Sequence, residues 1–292
     1  MEFRQLKTFI TAARLESFSK AAQILGYSQS AVTVQIRLLE EELGVRLFDR
    51  LGKGISLTAQ GKQFFRQSQL ILKEVNQAKE MAAKEGELKN PLHIGTLESL
   101  CSAKLPGVLA YFRASHPQVS IKITTAPPAR LYEMLEHNLL DLIYLLDRAR
   151  FNEDWEKVME KREPMVFVTS PDFWGGRKRQ VPLKNLVKEP FFLTEKNENY
   201  RRELDSFLEE RSLSLTPALE ISNTDFLIRQ LKENGGISYL PLFAAREGIE
   251  KGELVSLETD GPQVFMYQQI FYHKSKWKTR EMDAFIEKIR EM

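Results

Sequence analysis

Cysteine and histidine are scarce in this chain, which has one cysteine and four histidines among 292 residues. A single thiol, Cys101, cannot form an internal disulfide or a cysteine-based metal cluster. The histidines are scattered without the spacing of a metal site, at positions His93, His116, His137 and His273. We therefore expect no metal site and no cofactor.

Long apolar runs are absent as well, because no stretch approaches the roughly 18 residues that a helix needs to cross a bilayer. The N-terminus, MEFRQLKTF, is charged and amphipathic, unlike a signal peptide. We therefore expect a cytoplasmic protein with no membrane partner. The net charge is only +2, so any case for nucleic-acid binding must depend on local geometry rather than on bulk charge.

Enzyme motifs are also missing, since the chain contains no G-x-G-x-x-G, G-x-S-x-G or P-loop pattern. The composition is that of a globular protein, 42% hydrophobic and 28% charged, and the length favours two or three compact units. Three consecutive glutamates at 40–42 would point in different directions from a helix and cannot share one metal ion. We expect Glu40 to brace its own domain instead.

The most informative stretch runs from residue 17 to residue 50 and predicts two short helices separated by a turn at Gly26. Ser17 and Ser19 are both candidate N-caps of the first helix, and Ser28 is the candidate N-cap of the second. Adjacent alanines in the first helix would let its neighbour approach closely, as a helix-turn-helix requires.

Apolar residues in the second of these helices recur by four, three and four positions and form one stripe: Val32, Ile36, Leu39 and Leu43. The opposite side carries Ser30, Thr33, Val34 and Arg37. Such a side suits entry into a DNA major groove, where small polar groups and arginine contact base edges and phosphates. The stripe by itself is also typical of an ordinary amphipathic helix.

Two short apolar runs follow Gly44 and flank the sequence Gly-Lys-Gly at 52–54, which predicts a small hairpin, or wing. Arg50 and Lys53 belong to the tip of this hairpin. Both are placed to contact phosphate beside the second helix.

Residues 2–65 resemble the winged helix-turn-helix of the LysR-type transcriptional regulators. The matching residues are Phe9, Ser19, Ala21, Ala22, Leu25, Ser28 to Thr33, Gln35, Ile36, Leu39, Glu40, Leu43, Gly44, Leu47 to Arg50, Leu57, Thr58 and Gly61. The family often has proline where Ser30 stands and a polar residue where Val34 stands. Val34 can contact a thymine methyl but cannot donate a hydrogen bond.

The resemblance implies sequence-specific binding to double-stranded DNA at an inverted-repeat operator. The residues expected to bind DNA are Ser19, Ser28, Gln29, Ser30, Thr33, Val34, Arg37, Arg50 and Lys53.

Residues 58–85 lack proline and almost lack glycine, and they predict one long helix. Its apolar seam, with a heptad spacing, includes Phe64, Ile71, Val75 and Ala78. A long helix buries such a seam only against a partner, and the resemblance likewise implies a dimerising linker in a homodimer or homotetramer. The alternative is a helix that lies on its own effector domain.

From residue 92 onward short strands alternate with helices, which predicts a parallel α/β sheet. Among these elements we expect one continuous helix over 99–115 and a strand that starts at Met165. The region resembles the family's effector domain, which has two α/β lobes joined by two crossing strands, like a type 2 periplasmic binding protein. The clearest local match is TDFLIRQLKENGGISYLP at 224–241.

These patterns divide the chain into four parts. The expected parts are a winged helix-turn-helix at 1–58, a linker dimerisation helix at 59–86, a hinge at 87–91 and an effector-binding domain at 92–292, with a first lobe of 92–163 plus 267–292 and a second lobe of 164–266.

In an open α/β sheet a ligand binds at the carboxyl ends of the strands. That rule selects four segments, 96–100, 125–129, 194–197 and 222–224, and the resemblance puts an effector pocket between the lobes at the same places. The expected effector-binding residues are Thr96, Glu98, Ser99, Leu100, Thr125, Thr194, Lys196 and Asn223. Each polar one is also a plausible helix cap or solvated loop residue.

Glu98 complicates the choice of effector, because a carboxylate at the pocket would repel an anion unless Lys196 or Arg130 neutralised it. The prolines at 127 and 128 also remove backbone N–H donors. The effector is therefore cationic, zwitterionic or neutral on this reasoning. Cys101 lies near the same pocket, and we expect it to be structural.

The leading hypothesis is thus a DNA-binding transcriptional regulator controlled by a small molecule. Its rival is a solute-binding protein or an α/β enzyme with an N-terminal helical dimerisation segment. The missing enzyme motifs and the missing signal peptide both weigh against the rival.

Overall fold

The computed structural model describes residues 1–51, 54–82, 88–196 and 198–292. The chain divides into two compact units. The first comprises Met1–Glu87 with the short segments Glu136–Leu139 and His273–Thr279. The second comprises Leu88–Leu135, Leu140–Tyr272 and Arg280–Met292. In the described ranges no helix is long and apolar enough to cross a membrane.

The first unit opens with three helices, α1 (Phe3–Leu15), α2 (Phe18–Leu25) and α3 (Gln29–Leu43). Ser17 caps α2 by accepting the Lys20 N–H, so the cap is Ser17 rather than Ser19. Gly26 ends α2 with a φ of 69°, a left-handed conformation that costs glycine little. The predicted turn between α2 and α3 is therefore confirmed.

The core of this unit forms where the three helices meet. Ala21 and Ala22 are 0% and 4% exposed, and their lack of bulk lets α2 approach α1 and α3 closely. Phe9 of α1 lies at the centre, with its ring centroid 5.4 Å from that of Phe48 and 5.1 Å from that of Phe64. Aromatic pairs at such distances stabilise a small core beyond the apolar area that they bury.

The predicted wing is an antiparallel pair of strands, β1 (Phe48–Leu51) and β2 (Gly54–Leu57), with Phe48 opposite Leu57. The linker helix α4 (Ala59–Ala82) follows. Its first turn is held by Thr58, whose Oγ1 accepts the Gly61 N–H at 2.9 Å and donates to the Arg46 carbonyl at 2.7 Å.

The second unit alternates strands and short helices. In chain order they are β3 (Leu92–Thr96), α5 (Glu98–Ala103), α6 (Leu105–Ser115), β4 (Ile121–Thr125), α7 (Pro128–Glu136), β5 (Leu142–Asp147), β6 (Trp155–Thr169), α8 (Pro171–Trp174), α9 (Leu183–Leu186), β7 (Phe192–Leu193), α10 (Asn199–Glu210), β8 (Leu219–Glu220), α11 (Thr224–Asn234), β9 (Ile237–Pro241), α12 (Leu242–Glu250), β10 (Val255–Leu257), β11 (Phe265–His273) and α13 (Arg280–Arg290).

The strands form two groups. In the first lobe β3 runs parallel to β4 and to β5, and β11 runs antiparallel to β5. In the second lobe β7 runs parallel to β8, while β6 runs antiparallel to β9 and β10. Because β6 also neighbours β11, it is common to both lobes. The α/β class is confirmed, but the expectation of a wholly parallel sheet is wrong, because the crossing strands β6 and β11 make the sheet mixed.

Two expected elements differ from the structure. The helix expected over 99–115 is two helices, α5 and α6, because Pro106 stands at the start of α6 and its ring does not fit inside a continuous helix. The strand expected from Met165 begins at Trp155 and is 15 residues long.

Part of the expected hinge, 87–91, is anchored to α13. Glu281 accepts the N–H groups of Lys89 and Asn90, each at 3.0 Å. Residues 83–87, which include the end of the expected linker helix, lie outside the described residues.

Candidate functional site

The candidate DNA-binding face is the outer side of α3. Ser28 begins this helix by accepting the Ala31 N–H at 3.2 Å. Val32, Ile36 and Leu39 are buried at 0%, 2% and 0% exposure, while the fourth residue of the stripe is half-buried. The apolar stripe thus packs into the unit, as its spacing predicts.

The opposite side of α3 is open. Val34 is 46% exposed, Arg37 is exposed and Thr33 is half-buried. An exposed valine between hydroxyls and an arginine gives this side the chemistry to meet thymine methyls, base edges and phosphates. DNA contact by these side chains stays a prediction.

Hydrogen bonds order the polar side chains at the start of α3. Ser19 donates to Gln29 Oε1 at 2.8 Å, and the hydroxyls of Ser28 and Ser30 lie 2.9 Å apart. Thr33 donates to the Gln29 carbonyl at 2.9 Å. Because its proton is used within the helix, Thr33 presents its oxygen as an acceptor.

Arg37 forms an ion pair with Glu41, with 2.6 Å between Nη1 and Oε1. Both side chains are more than half exposed, and exposed pairs of this kind contribute little to stability. Arg37 can therefore exchange Glu41 for a phosphate at small cost.

Glu40 joins α3 to the wing. Its Oε1 accepts the N–H groups of Leu47 and Phe48, at 2.7 and 3.1 Å. The expectation that Glu40 braces its own domain is confirmed. Thr8 adds a second link, from α1 to α3, by donating to Gln35 Oε1 at 2.7 Å.

The wing residues expected to touch phosphate are only partly visible. The backbone of Arg50 belongs to β1, but its side chain lies outside the described residues, as does the whole of Lys53. Their phosphate contacts stay predictions.

The seam expected to dimerise lies on α4. Phe64 packs on Phe9 of its own chain, which makes it part of the core of the first unit and leaves less of it for a partner. Ile71 and Val75 are half-buried and Ala78 is exposed. Beside them runs an apolar groove of about 240 Å³, whose lining includes Phe3, Leu25, Tyr27, Leu72 and Val75.

The candidate effector site is a cavity of about 280 Å³ in the second unit. All four segments that the strand-end rule selects contribute to it. The lining residues are Leu97, Glu98, Ser99, Thr125, Ala126, Pro127, Glu195, Glu198, Tyr200, Ser222 and Thr224. Of the expected effector-binding residues, Glu98, Ser99 and Thr125 line this cleft.

The other expected residues lie elsewhere. Thr96, Leu100 and Thr194 are buried at 0%, 0% and 2% exposure, because each turns into the packed interior beside its strand. Asn223 caps α11 by accepting the Phe226 N–H at 2.7 Å. Lys196 is exposed and is not among the residues that line the cleft.

Sequence reasoning missed two residues of the cleft that come from the start of α10, Glu198 and Tyr200. Glu198 is the residue directly before the helix, and Tyr200 is 4% exposed. The N-cap position of Glu198, just beyond the selected segment 194–197, is the signal that could have found it.

Carboxylates dominate the electrostatics of the cleft. Glu98 Oε2 accepts the Thr224 N–H at 3.0 Å, which links the two lobes. Burial raises the pKa of Glu98, helped by the charge of Asp225 and opposed by the hydrogen bond from Thr224. Burial likewise raises the pKa of Glu198, with a further rise from Glu195.

The cation expected to offset Glu98 is engaged elsewhere, since Arg130 pairs with Glu133 at 2.6 Å. Cys101 is half-buried, and burial together with the charges of Glu98 and Asp225 raises its pKa. A raised pKa keeps the thiol protonated and unreactive, which supports a structural role.

A helix-turn-helix with an open outer face, followed in the same chain by a two-lobed α/β unit with a cleft, defines the class of ligand-responsive DNA-binding regulators. Comparisons with known proteins give the family. Residues 3–62 match the family described as bacterial regulatory helix-turn-helix protein, lysR family, and residues 85–292 match the LysR substrate binding domain. The chain belongs to the LysR family of transcriptional regulators.

Individual relatives agree over the whole length. The chain is 32% identical to the uncharacterized HTH-type transcriptional regulator YwqM of Bacillus subtilis, over 99% of both chains. It is 27% identical to the RuBisCO operon transcriptional regulator of Allochromatium vinosum, over 98% of this chain and 95% of the relative. Full-length OxyR of Pseudomonas aeruginosa has the same fold, with a TM-score of 0.73, 21% identity, and coverage of 99% of this chain and 95% of that one.

Proposed function

We propose that the chain binds an inverted-repeat operator through the outer face of α3, as a homodimer or homotetramer, under the control of a small molecule held in the cleft. The observation that carries this proposal is the orientation of α3. Its apolar stripe is buried while Val34 and Arg37 remain open to a partner.

The proposed division of labour on DNA follows from the chemistry of each side chain. Val34 contacts a thymine methyl, and Thr33 accepts a hydrogen bond from a base amino group. Arg37 leaves Glu41 for a phosphate or a guanine edge. Ser28 and Ser30, at the N-terminus of α3, fix the register of the helix on the backbone.

Control by a ligand follows from the position of the cleft between two lobes. Glu98 comes from the first lobe and Thr224 from the second, and the hydrogen bond between them depends on how the lobes are closed. A ligand that binds one arrangement more tightly shifts the equilibrium towards it. We propose that the shift changes the spacing of paired DNA-binding heads.

We infer that the chain acts by binding rather than by catalysis, since its family consists of transcriptional regulators. We also infer that it acts in the cytoplasm, where its operator DNA would be found.

The test is a binding titration of full-length protein with the promoter DNA nearest its own gene and with a scrambled duplex of equal length. We expect clear preference for the promoter, and affinity that falls steeply as salt rises. Equal affinity for the two duplexes at moderate salt would contradict the proposal.

A further inference from the structure

The cleft is lined by three carboxylates, from Glu98, Glu195 and Glu198. None of the described residues that line it is a lysine, an arginine or a histidine. Charges withdrawn from water normally have a compensating partner. Such a partner is missing here, because Arg130 pairs with Glu133, and Arg202, which lowers the pKa of Glu198, is exposed and outside the lining.

Donors that would hold an anion are already used or removed. The Thr224 N–H at the start of α11 donates to Glu98, and the Phe226 N–H donates to Asn223. Pro127 has no N–H to offer. The protein's own carboxylate thus occupies the helix end where a carboxylate or phosphate ligand would otherwise bind.

An unfilled hydroxyl in the cleft independently indicates a ligand. Ser99 is 6% exposed and lines the cavity. Its Oγ forms no hydrogen bond with another described residue, and a buried hydroxyl without a partner is costly. Thr125 and Ser222 line the same cavity with further hydroxyls. These oxygens can accept hydrogen bonds from a donor-rich ligand.

We propose that the effector is a small organic cation, an amine that carries one or more ammonium groups, held by Glu98, Glu195 and Glu198. This inference rests on the proposed function of the cleft as the effector site. An ammonium group has three donors and no acceptor, which matches carboxylates and hydroxyls. The cation is organic, since the described part of the chain has no group of three His, Cys, Asp or Glu side chains placed to hold a metal ion.

The size of the cavity limits the ligand. At about 280 Å³ it is just below the range of roughly 300–1,000 Å³ typical of pockets for drug-sized molecules. A short aliphatic amine fits this volume, whereas a nucleotide does not.

The experiment compares three ligands of similar length and different charge on the full chain: 1,4-diaminobutane, 4-aminobutanoate and succinate. Dissociation constants come from calorimetry and are checked by ligand-induced shifts in melting temperature. We expect the diamine to bind most tightly. Glu98→Gln and Glu198→Gln, which keep the side-chain shape, should each weaken its binding about tenfold or more, as loss of a charge-assisted hydrogen bond does.

The control is Glu209→Gln, which removes an exposed carboxylate from the far end of α10 and should leave diamine affinity unchanged. Tighter binding of succinate or 4-aminobutanoate, absence of diamine binding, or diamine affinity that survives both cleft substitutions would overturn the inference. The same preparations are titrated with promoter and scrambled DNA. Promoter preference without diamine binding refutes only the cationic effector, whereas loss of promoter preference refutes the proposed function itself.

Discussion

Gly61 lies in the first turn of α4, where this helix passes against the chain between α3 and the wing. A Cβ at this position would lie 2.1 Å from the carbonyl oxygen of Leu47. The backbone would have to move, so we expect Gly61→Ala to lower the free energy of unfolding by about 1–3 kcal/mol. Thermal or urea unfolding measures the change.

A second helical glycine gives the matched control. A Cβ at Gly107, in α6, would meet only the flexible end of Met292, at 3.4 Å. Alanine has the higher helix propensity, so Gly107→Ala should be neutral or stabilise by up to about 1 kcal/mol. If both substitutions changed stability in the same direction, close packing at Gly61 would not be the cause.

Glu281 supplies a pH-dependent contribution to stability. Burial opposes its ionisation, but the hydrogen bonds from Asn90 and Lys89 outweigh burial and lower its pKa below the ordinary value of 4.5. A carboxyl whose pKa is lowered by folding stabilises the protein above the unfolded pKa, and this contribution is lost as the pH falls through the folded pKa.

Glu281→Gln should therefore lower the melting temperature at pH 7 and make less difference at pH 4 and below. Melting curves of both proteins across this range measure the effect. A difference in melting temperature that stays constant with pH would show that Glu281 acts through packing alone.

Side chains of the effector cleft were predictable by segment but not by residue. The strand-end rule selected the correct four segments because it depends only on where strands stop. Which side chain of a segment faces the cavity depends on packing. Thr96 and Thr194 turn inward, while Glu98 and Ser99 face the cleft.

At the scale of elements, α4 has the most direct consequence for assembly. Val75 lines the apolar groove beside α1, and a charge placed there would be costly to bury against a partner. We expect Val75→Asp to weaken self-association by at least about tenfold, measured by analytical ultracentrifugation. Glu74→Gln, at an exposed position of the same helix, is the control and should assemble normally.

If Val75→Asp associated as strongly as the unsubstituted protein, the interface would lie elsewhere. The packing of Phe64 on Phe9 already removes part of the expected seam from a partner. The test is therefore directed at the distal half of α4.

Elements with local signals were the predictable ones. Ser17, Gly26 and Ser28 mark the ends of α2 and α3 within a dozen residues, and the structure uses all three as caps. The first part of β6 was missed because it is rich in charged residues and its partners, β9 to β11, come at least 60 residues later in the chain. Its pairing depends on contacts that no local pattern encodes.

At the scale of the whole molecule, the account depends on a DNA-binding surface that is fully exposed before DNA arrives. Thr33, Val34 and Arg37 can be replaced together without disturbing the buried stripe of α3. The triple alanine variant should therefore keep its fold and its oligomeric state while it loses promoter preference. Lys122→Ala, at an exposed position of β4 in the second unit, is the control for loss of one positive charge.

The most direct measurement is fluorescence anisotropy of labelled promoter and scrambled duplexes at several salt concentrations. We predict that the triple variant binds both duplexes alike, with the slope of log affinity against log salt reduced by about one for the lost arginine. Lys122→Ala should match the unsubstituted protein. Full promoter preference in a folded triple variant would contradict the claim that the outer face of α3 reads DNA.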